Sequence, residues 1–109
     1  MYAVVRETTY PENLPLSERD EFKAFQDRHA ALPGYAGTIV TNVGGGRHIT
    51  LTLWDTADHM NAARQAIGPA VGLIDPLMTR PSKLLGSGEV AYSDIATGES
   101  RATEGVTPR

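Results

Sequence analysis

The run Pro33-Gly34-Tyr35-Ala36-Gly37-Thr38-Ile39-Val40-Thr41, followed by Gly44-Gly45-Gly46 and then His48-Ile49-Thr50-Leu51-Thr52-Leu53-Trp54, decides the fold of this chain. Two segments rich in β-branched and apolar residues flank a triple glycine, and this pattern predicts a β-hairpin. In its second arm Ile49, Leu51 and Leu53 share one side, while His48, Thr50, Thr52 and Trp54 share the other. The first set is purely aliphatic and is expected to lie under helices. The second is threonine-rich and carries the single tryptophan, and it is expected to be shielded by a second copy of the sheet.

The stretches on either side of the hairpin read as helices. Upstream, Phe22, Phe25, His29 and Leu32 recur at helical spacing, predicting a helix from about Glu18 to Leu32 with Ser17 as N-cap and Glu18 and Asp20 in the first turn. Pro33-Gly34 stops it. Downstream, Asp55 or Thr56 can cap a second helix whose stripe is Met60, Ala63, Ile67, Val71 and Ile74; Gly68-Pro69 predicts a kink or two short helices ending near Asp75-Pro76.

The ends complete the order. Met1 to Thr9 alternates as a strand closed by Pro11 and Pro15, and Lys83 to Tyr92 resumes strand character after a loop over 77–82. Gly86 and Gly88 mark a bulge in that last strand or the close approach of another backbone. Strand, helix, strand, strand, helix, strand is the βαββαβ order of an α+β, ferredoxin-like fold with a four-stranded antiparallel sheet and two helices on one face. One domain over 1–92 and a polar, flexible tail over 93–109 are expected.

Composition narrows the function classes. A chain of 109 residues buries only about two-thirds of its unfolded surface alone, and its apolar content is alanine-rich, so a homodimer is expected. A net charge of -3 with no basic block argues against nucleic acid or an anionic membrane surface as partner. No apolar run reaches the roughly 18 to 20 residues of a spanning helix, and no export signal is visible. The absence of cysteine fits the cytoplasm. His29, His48 and His59 fall on three elements without metal-ligand spacing, so no metal site is expected. Gly44-Gly45-Gly46 joins two strands and lacks the Lys-Ser/Thr of a phosphate loop, and Ser87 lacks the setting of a nucleophile elbow.

Arg28-His29, Pro33-Gly34-Tyr35-Ala36-Gly37, Ile39-Val40-Thr41, a glycine turn, and Leu51-Thr52-Leu53-Trp54-Asp55-Thr56 leading into a helix together resemble the antibiotic biosynthesis monooxygenase (ABM) superfamily of dimeric α/β barrels. The resemblance covers about residues 1–92. It implies a fold and a small-molecule pocket, and its members include cofactor-free oxygenases of polyphenols and quinones as well as haem-degrading enzymes. The haem-degrading pattern has an asparagine on the first strand, a tryptophan inside the second helix and an axial histidine near that helix's end. Here Arg6 and Glu7, Ala62 or Ala63, and a histidine-free stretch around Leu73 stand instead, so no haem and no other cofactor is expected.

The resemblance therefore implies a cofactor-independent monooxygenase-like protein for a small aromatic or quinone-type ligand. Such chemistry needs an apolar chamber and a base or donor for an ionising phenol. His29, on the inward stripe, is the candidate catalytic residue; the alternative is a buried histidine satisfied by one backbone hydrogen bond. Trp54, Tyr35, His59 and Arg64 are candidate substrate-binding residues, with packing anchors and a solvated helix flank as their plainer roles. Arg6 either holds an anion within the barrel or pairs with Glu89 across the sheet. A non-catalytic dimeric ligand-binding or stress-related protein of the same fold is the alternative function.

Overall fold

The computed structural model describes residues 1–95. Its order is β1 (Tyr2–Thr9), α1 (Asp20–Ala30), β2 (Tyr35–Gly44), β3 (Arg47–Trp54), α2 (Ala57–Ala66) and β4 (Arg80–Glu89). The strands form one sheet in the order β2-β3-β1-β4, and every observed pairing is antiparallel. This is the α+β, ferredoxin-like arrangement expected from the sequence. The expected tail lies, from residue 96 onward, outside the described residues.

Local chemistry sets the element ends. Leu16 is drawn into an apolar cluster with Tyr10 and Leu77, so Leu16–Glu18 form a short 3₁₀ turn and α1 starts only at Asp20. Ser17 is therefore not the cap: Arg19 holds that position without a side-chain hydrogen bond, and Asp20 and Glu21 supply the first-turn negative charge. Thr56 caps α2 by accepting the His59 N–H. Past Ala66 the chain tightens into 3₁₀ turns at Gly68–Leu73 and Asp75–Leu77, each with a proline at its start. That is the break Gly68-Pro69 announced.

β4 begins three residues earlier than expected, at Arg80, and ends at Glu89 rather than Tyr92. Pro81 is accommodated because β4 is an edge strand, where a missing N–H costs no ladder bond on the open side. The register shift opposite Val5/Arg6 is the bulge foreseen near Gly86.

The two faces of the hairpin are exchanged relative to the sequence expectation. Thr50, Thr52 and Trp54 lie under the helices, and Trp54 is 2% exposed, packed with Val4, Met60 and Ala63. The aliphatic set faces the other way. Register places Ala3, Leu53 and Gly37 in one cross-strand row, Val5, Leu51 and Ile39 in the next, and Glu7, Ile49 and Thr41 in a third. Among the described residues no helix covers these rows; Ala3 and Leu53 are nevertheless buried, with Ser93–Ile95 close to Leu53, while Ile39 is 43% exposed. A period of two separates the faces of a strand but does not say which one the helices will cover.

On the helix side the core is divided. Val4, Trp54, Met60 and Ala63 pack at one end, Tyr10, Leu16 and Leu77 at the other. Between these clusters lies a cavity.

Candidate functional site

The cavity has a volume of about 430 Å³, within the range of small-molecule sites. β1 and β3 supply its floor through Val4, Arg6, Thr50, Thr52 and Trp54. α1 forms one wall with Phe22, Phe25 and His29, and the end of α2 with its 3₁₀ extension forms the other with Arg64, Ile67 and Val71. A threonine floor between two apolar clusters gives a chamber that is mostly apolar with a few polar groups, because Thr presents both a methyl and a hydroxyl.

His29 is placed by the helical stripe that predicted it. Its ring meets Phe25 edge-on at 4.7 Å and lies 6.3 Å from the Trp54 indole at a tilt of 44°. Nδ1 is buried and has no hydrogen-bond partner. Burial holds the ring's pKa below its ordinary 6.5; the nearby Phe25 carbonyl opposes this, and the Arg6 charge adds to it. Near pH 7 the ring is neutral and able to accept a proton.

Of the candidate binding residues, Trp54 and Arg64 join His29 at the cavity, while Tyr35 and His59 do not. Tyr35 braces the back of Trp54, edge-on at 5.7 Å, and its hydroxyl hydrogen-bonds the Thr38 hydroxyl at 2.8 Å. His59 sits outside, its Nδ1 2.6 Å from the Asp55 carboxylate. That hydrogen bond is the main reason the Asp55 carboxyl titrates below its ordinary value. Together these two side chains close over Gly34, which has φ +82° and no room for a Cβ. The i,i+4 spacing of Asp55 and His59 astride a Thr56 cap was the sequence signal for this local role.

Arg6 also lines the cavity. It does not pair with Glu89, because Glu89 stands opposite Tyr2 and Arg6 opposite Thr50 and Leu84. Nor does it face a second sheet, since its side of β1 is the helix side. Thr50, Thr52 and Val71 were not singled out from sequence, although exchanging the hairpin faces would have marked both threonines. Among the described residues no cluster of three His, Asp or Glu forms a metal-binding group, and no helix is long and apolar enough to cross a membrane.

No family sequence model and no curated protein matches the chain. Solved structures do. A variant of SnoaB, a cofactor-independent oxygenase from Streptomyces nogalater, superposes with a TM-score of 0.65 at 16% identity, over 84% of this chain and 94% of that one. A Deinococcus radiodurans protein assigned to the antibiotic biosynthesis monooxygenases gives 0.64 at 14% identity, over 90% and 100%. A variant of MhuD, solved with two manganese protoporphyrin IX molecules per active site, gives 0.63 at 18% identity, over 88% and 100%. In the present chain the only histidine on the cavity wall is His29, and the stretch 68–77 that closes the cavity has none. The chain shares its fold with solved structures that include a cofactor-independent oxygenase and proteins assigned to the antibiotic biosynthesis monooxygenases.

Proposed function

We propose that the protein is a cofactor-independent, monooxygenase-like enzyme that binds a small aromatic or quinone-type substrate in the cavity between helices and sheet. The supporting observation is the His29 imidazole: neutral near pH 7 and on the wall of an aromatic chamber, beside Phe25 and Trp54. In this reading the substrate ring lies against Trp54, and an acidic O–H or C–H proton passes to His29. For an anthrone, the carbanion left behind transfers its electrons to dioxygen and forms a C–O bond. The peroxide takes the proton back from His29, and loss of water leaves a carbonyl. One dioxygen is consumed and one water released, so no external reductant is required.

The assembly in this reading is a homodimer built through the helix-free aliphatic side of the sheet, around Val5, Ile39, Ile49 and Leu51, in a cytoplasmic protein. Apolar rows of this extent favour a covering partner, and an identical sheet offers matching chemistry.

The test is incubation of the purified protein with anthrones or dihydroxynaphthalenes under oxygen, following quinone absorbance, beside the His29→Ala variant. Turnover lost in the variant supports the enzyme. Background-level rates in both, with ligand still bound, favour the non-catalytic binding protein.

A further inference from the structure

Arg6 is a half-buried guanidinium on the floor of an otherwise mostly apolar cavity. Its cross-strand neighbours are Thr50 and Leu84, neither of them acidic. The ion pairs among the described residues are Arg19 with Glu21, Arg47 with Glu7 and His59 with Asp55, and none involves Arg6. The remaining ionisable groups on the cavity wall do not compensate it. Asp75 and Arg64 are exposed and carry opposite charges, and Tyr10 is a phenol pushed up to about 12, hence uncharged near pH 7.

An empty cavity lets water solvate the guanidinium. A flat ring that fills the chamber expels that water, and a desolvated cation without a partner is strongly unfavourable. The preferred occupant therefore brings its own anionic acceptor, and one without it binds more weakly. A phenol does not meet this need, because its ordinary pKa of about 10 leaves it protonated near neutrality, whereas a carboxylate arrives ionised and matches the guanidinium fork with two parallel hydrogen bonds.

We propose that Arg6 is the anion-binding residue of this cavity and that the substrate is a hydroxylated aromatic acid, with its carboxylate on Arg6 and its reacting hydroxyl toward His29. This rests on the cavity being the substrate site. Arg6 and His29 line the same cavity, which suits one aromatic ring carrying both a hydroxyl and a carboxylate.

The experiment compares an ortho-hydroxynaphthoate with its methyl ester by titration calorimetry, while the indole N–H resonance of Trp54, the single tryptophan of the chain, reports whether each ligand enters the cavity. The acid is expected to bind the wild-type protein at least about tenfold more tightly than the ester, with the advantage shrinking as salt is added. Arg6→Gln is expected to abolish that preference and leave ester affinity within about twofold, Arg6→Lys to retain part of it, and a control at the exposed Arg28 outside the cavity, Arg28→Gln, to retain all of it. The acid-against-ester comparison needs no variant, so a misfolded Arg6→Gln does not protect the proposal. Equal binding of acid and ester with both shifting the Trp54 resonance overturns the carboxylate assignment and leaves the cavity reading standing. A preference that survives Arg6→Gln or vanishes in Arg28→Gln overturns the role of Arg6. No shift of the Trp54 resonance by either ligand overturns both.

Discussion

The imidazole of His29 and the indole of Trp54 stand 6.3 Å apart across the cavity, with their planes tilted by 44°. An imidazolium close to an indole quenches its emission, so the chain's single tryptophan is a reporter of this histidine's protonation. Wild-type fluorescence should fall on acidification with a midpoint below 6.5, because burial and then Arg6 disfavour the charged ring. His29→Leu should remove the transition. A midpoint at or above 6.5 would contradict the environment described for His29.

The same depressed pKa has a stability consequence. Unfolding exposes His29 and restores its ordinary affinity for a proton, so around the transition the unfolded chain binds more protons and stability rises with pH. The contribution of His29 is complete above 6.5 and is lost as pH falls through the lower folded value. Glu7 and Asp55, which are also depressed, titrate from ordinary values of 4.5 and 3.8 and act in a more acidic window. Urea unfolding between pH 5 and 8 should therefore give a steeper decline toward acid for wild type than for His29→Leu. Superimposable pH profiles would count against it.

Backbone geometry singles out Gly46. Its φ is +80°, its carbonyl accepts the Tyr10 N–H at 2.8 Å, and an added Cβ would collide with the Tyr10 carbonyl. His48 Nδ1 lies 3.1 Å from the same Gly46 oxygen, so one glycine ties the hairpin turn to the end of β1. Gly46→Ala should cost at least about 2 kcal/mol, combining left-handed strain with displacement of Tyr10. Gly45, at φ +65° with open space around it, should tolerate asparagine nearly unchanged. Thermal denaturation of the two variants distinguishes these outcomes.

The order of elements was legible because each rests on local chemistry: the alternation of 48–54, the Phe22/Phe25/His29 stripe, the Thr56 cap and the Gly68-Pro69 break. The orientation of the hairpin was not, because which face is covered depends on the side to which the β1-α1-β2 crossover carries the helix. Reading Thr50 and Thr52 as too polar for a helix-covered face assumed that the core is filled. Here the two apolar clusters stop short of each other, and the threonines border a cavity instead of a dry contact. His29 was legible from its stripe, whereas His59 misled because its spacing from Asp55 outweighs its position on the flank of α2. Ser17 misled for a similar reason: burial of Leu16 fixed a 3₁₀ turn before the helix could start.

The uncovered rows give the assembly its own test. Leu51 and Ile39 are cross-strand partners on the face away from the helices. Replacing both with glutamate puts charge into the proposed interface and should convert a dimer to a monomer at micromolar protein while the helix-side cavity stays intact. Light scattering coupled to size exclusion measures this. A wild-type monomer, or an undisturbed dimer in the variant, would remove that face from the account.

Tyr35 and His29 separate bracing from chemistry. Tyr35→Phe removes the 2.8 Å hydroxyl contact to Thr38 behind Trp54 and should cost roughly 0.5–1.5 kcal/mol of stability, with kcat little changed.

The central claim is that His29 acts as the base of an oxygenase cavity, and the most direct measurement is dioxygen uptake with an anthrone in wild type and His29→Gln, each first shown to be folded and to bind the anthrone. The account predicts one dioxygen consumed per anthrone by wild type and a kcat lowered by about 100-fold or more in the variant. Equal uptake by the two proteins, or none above the protein-free rate in wild type, would contradict it.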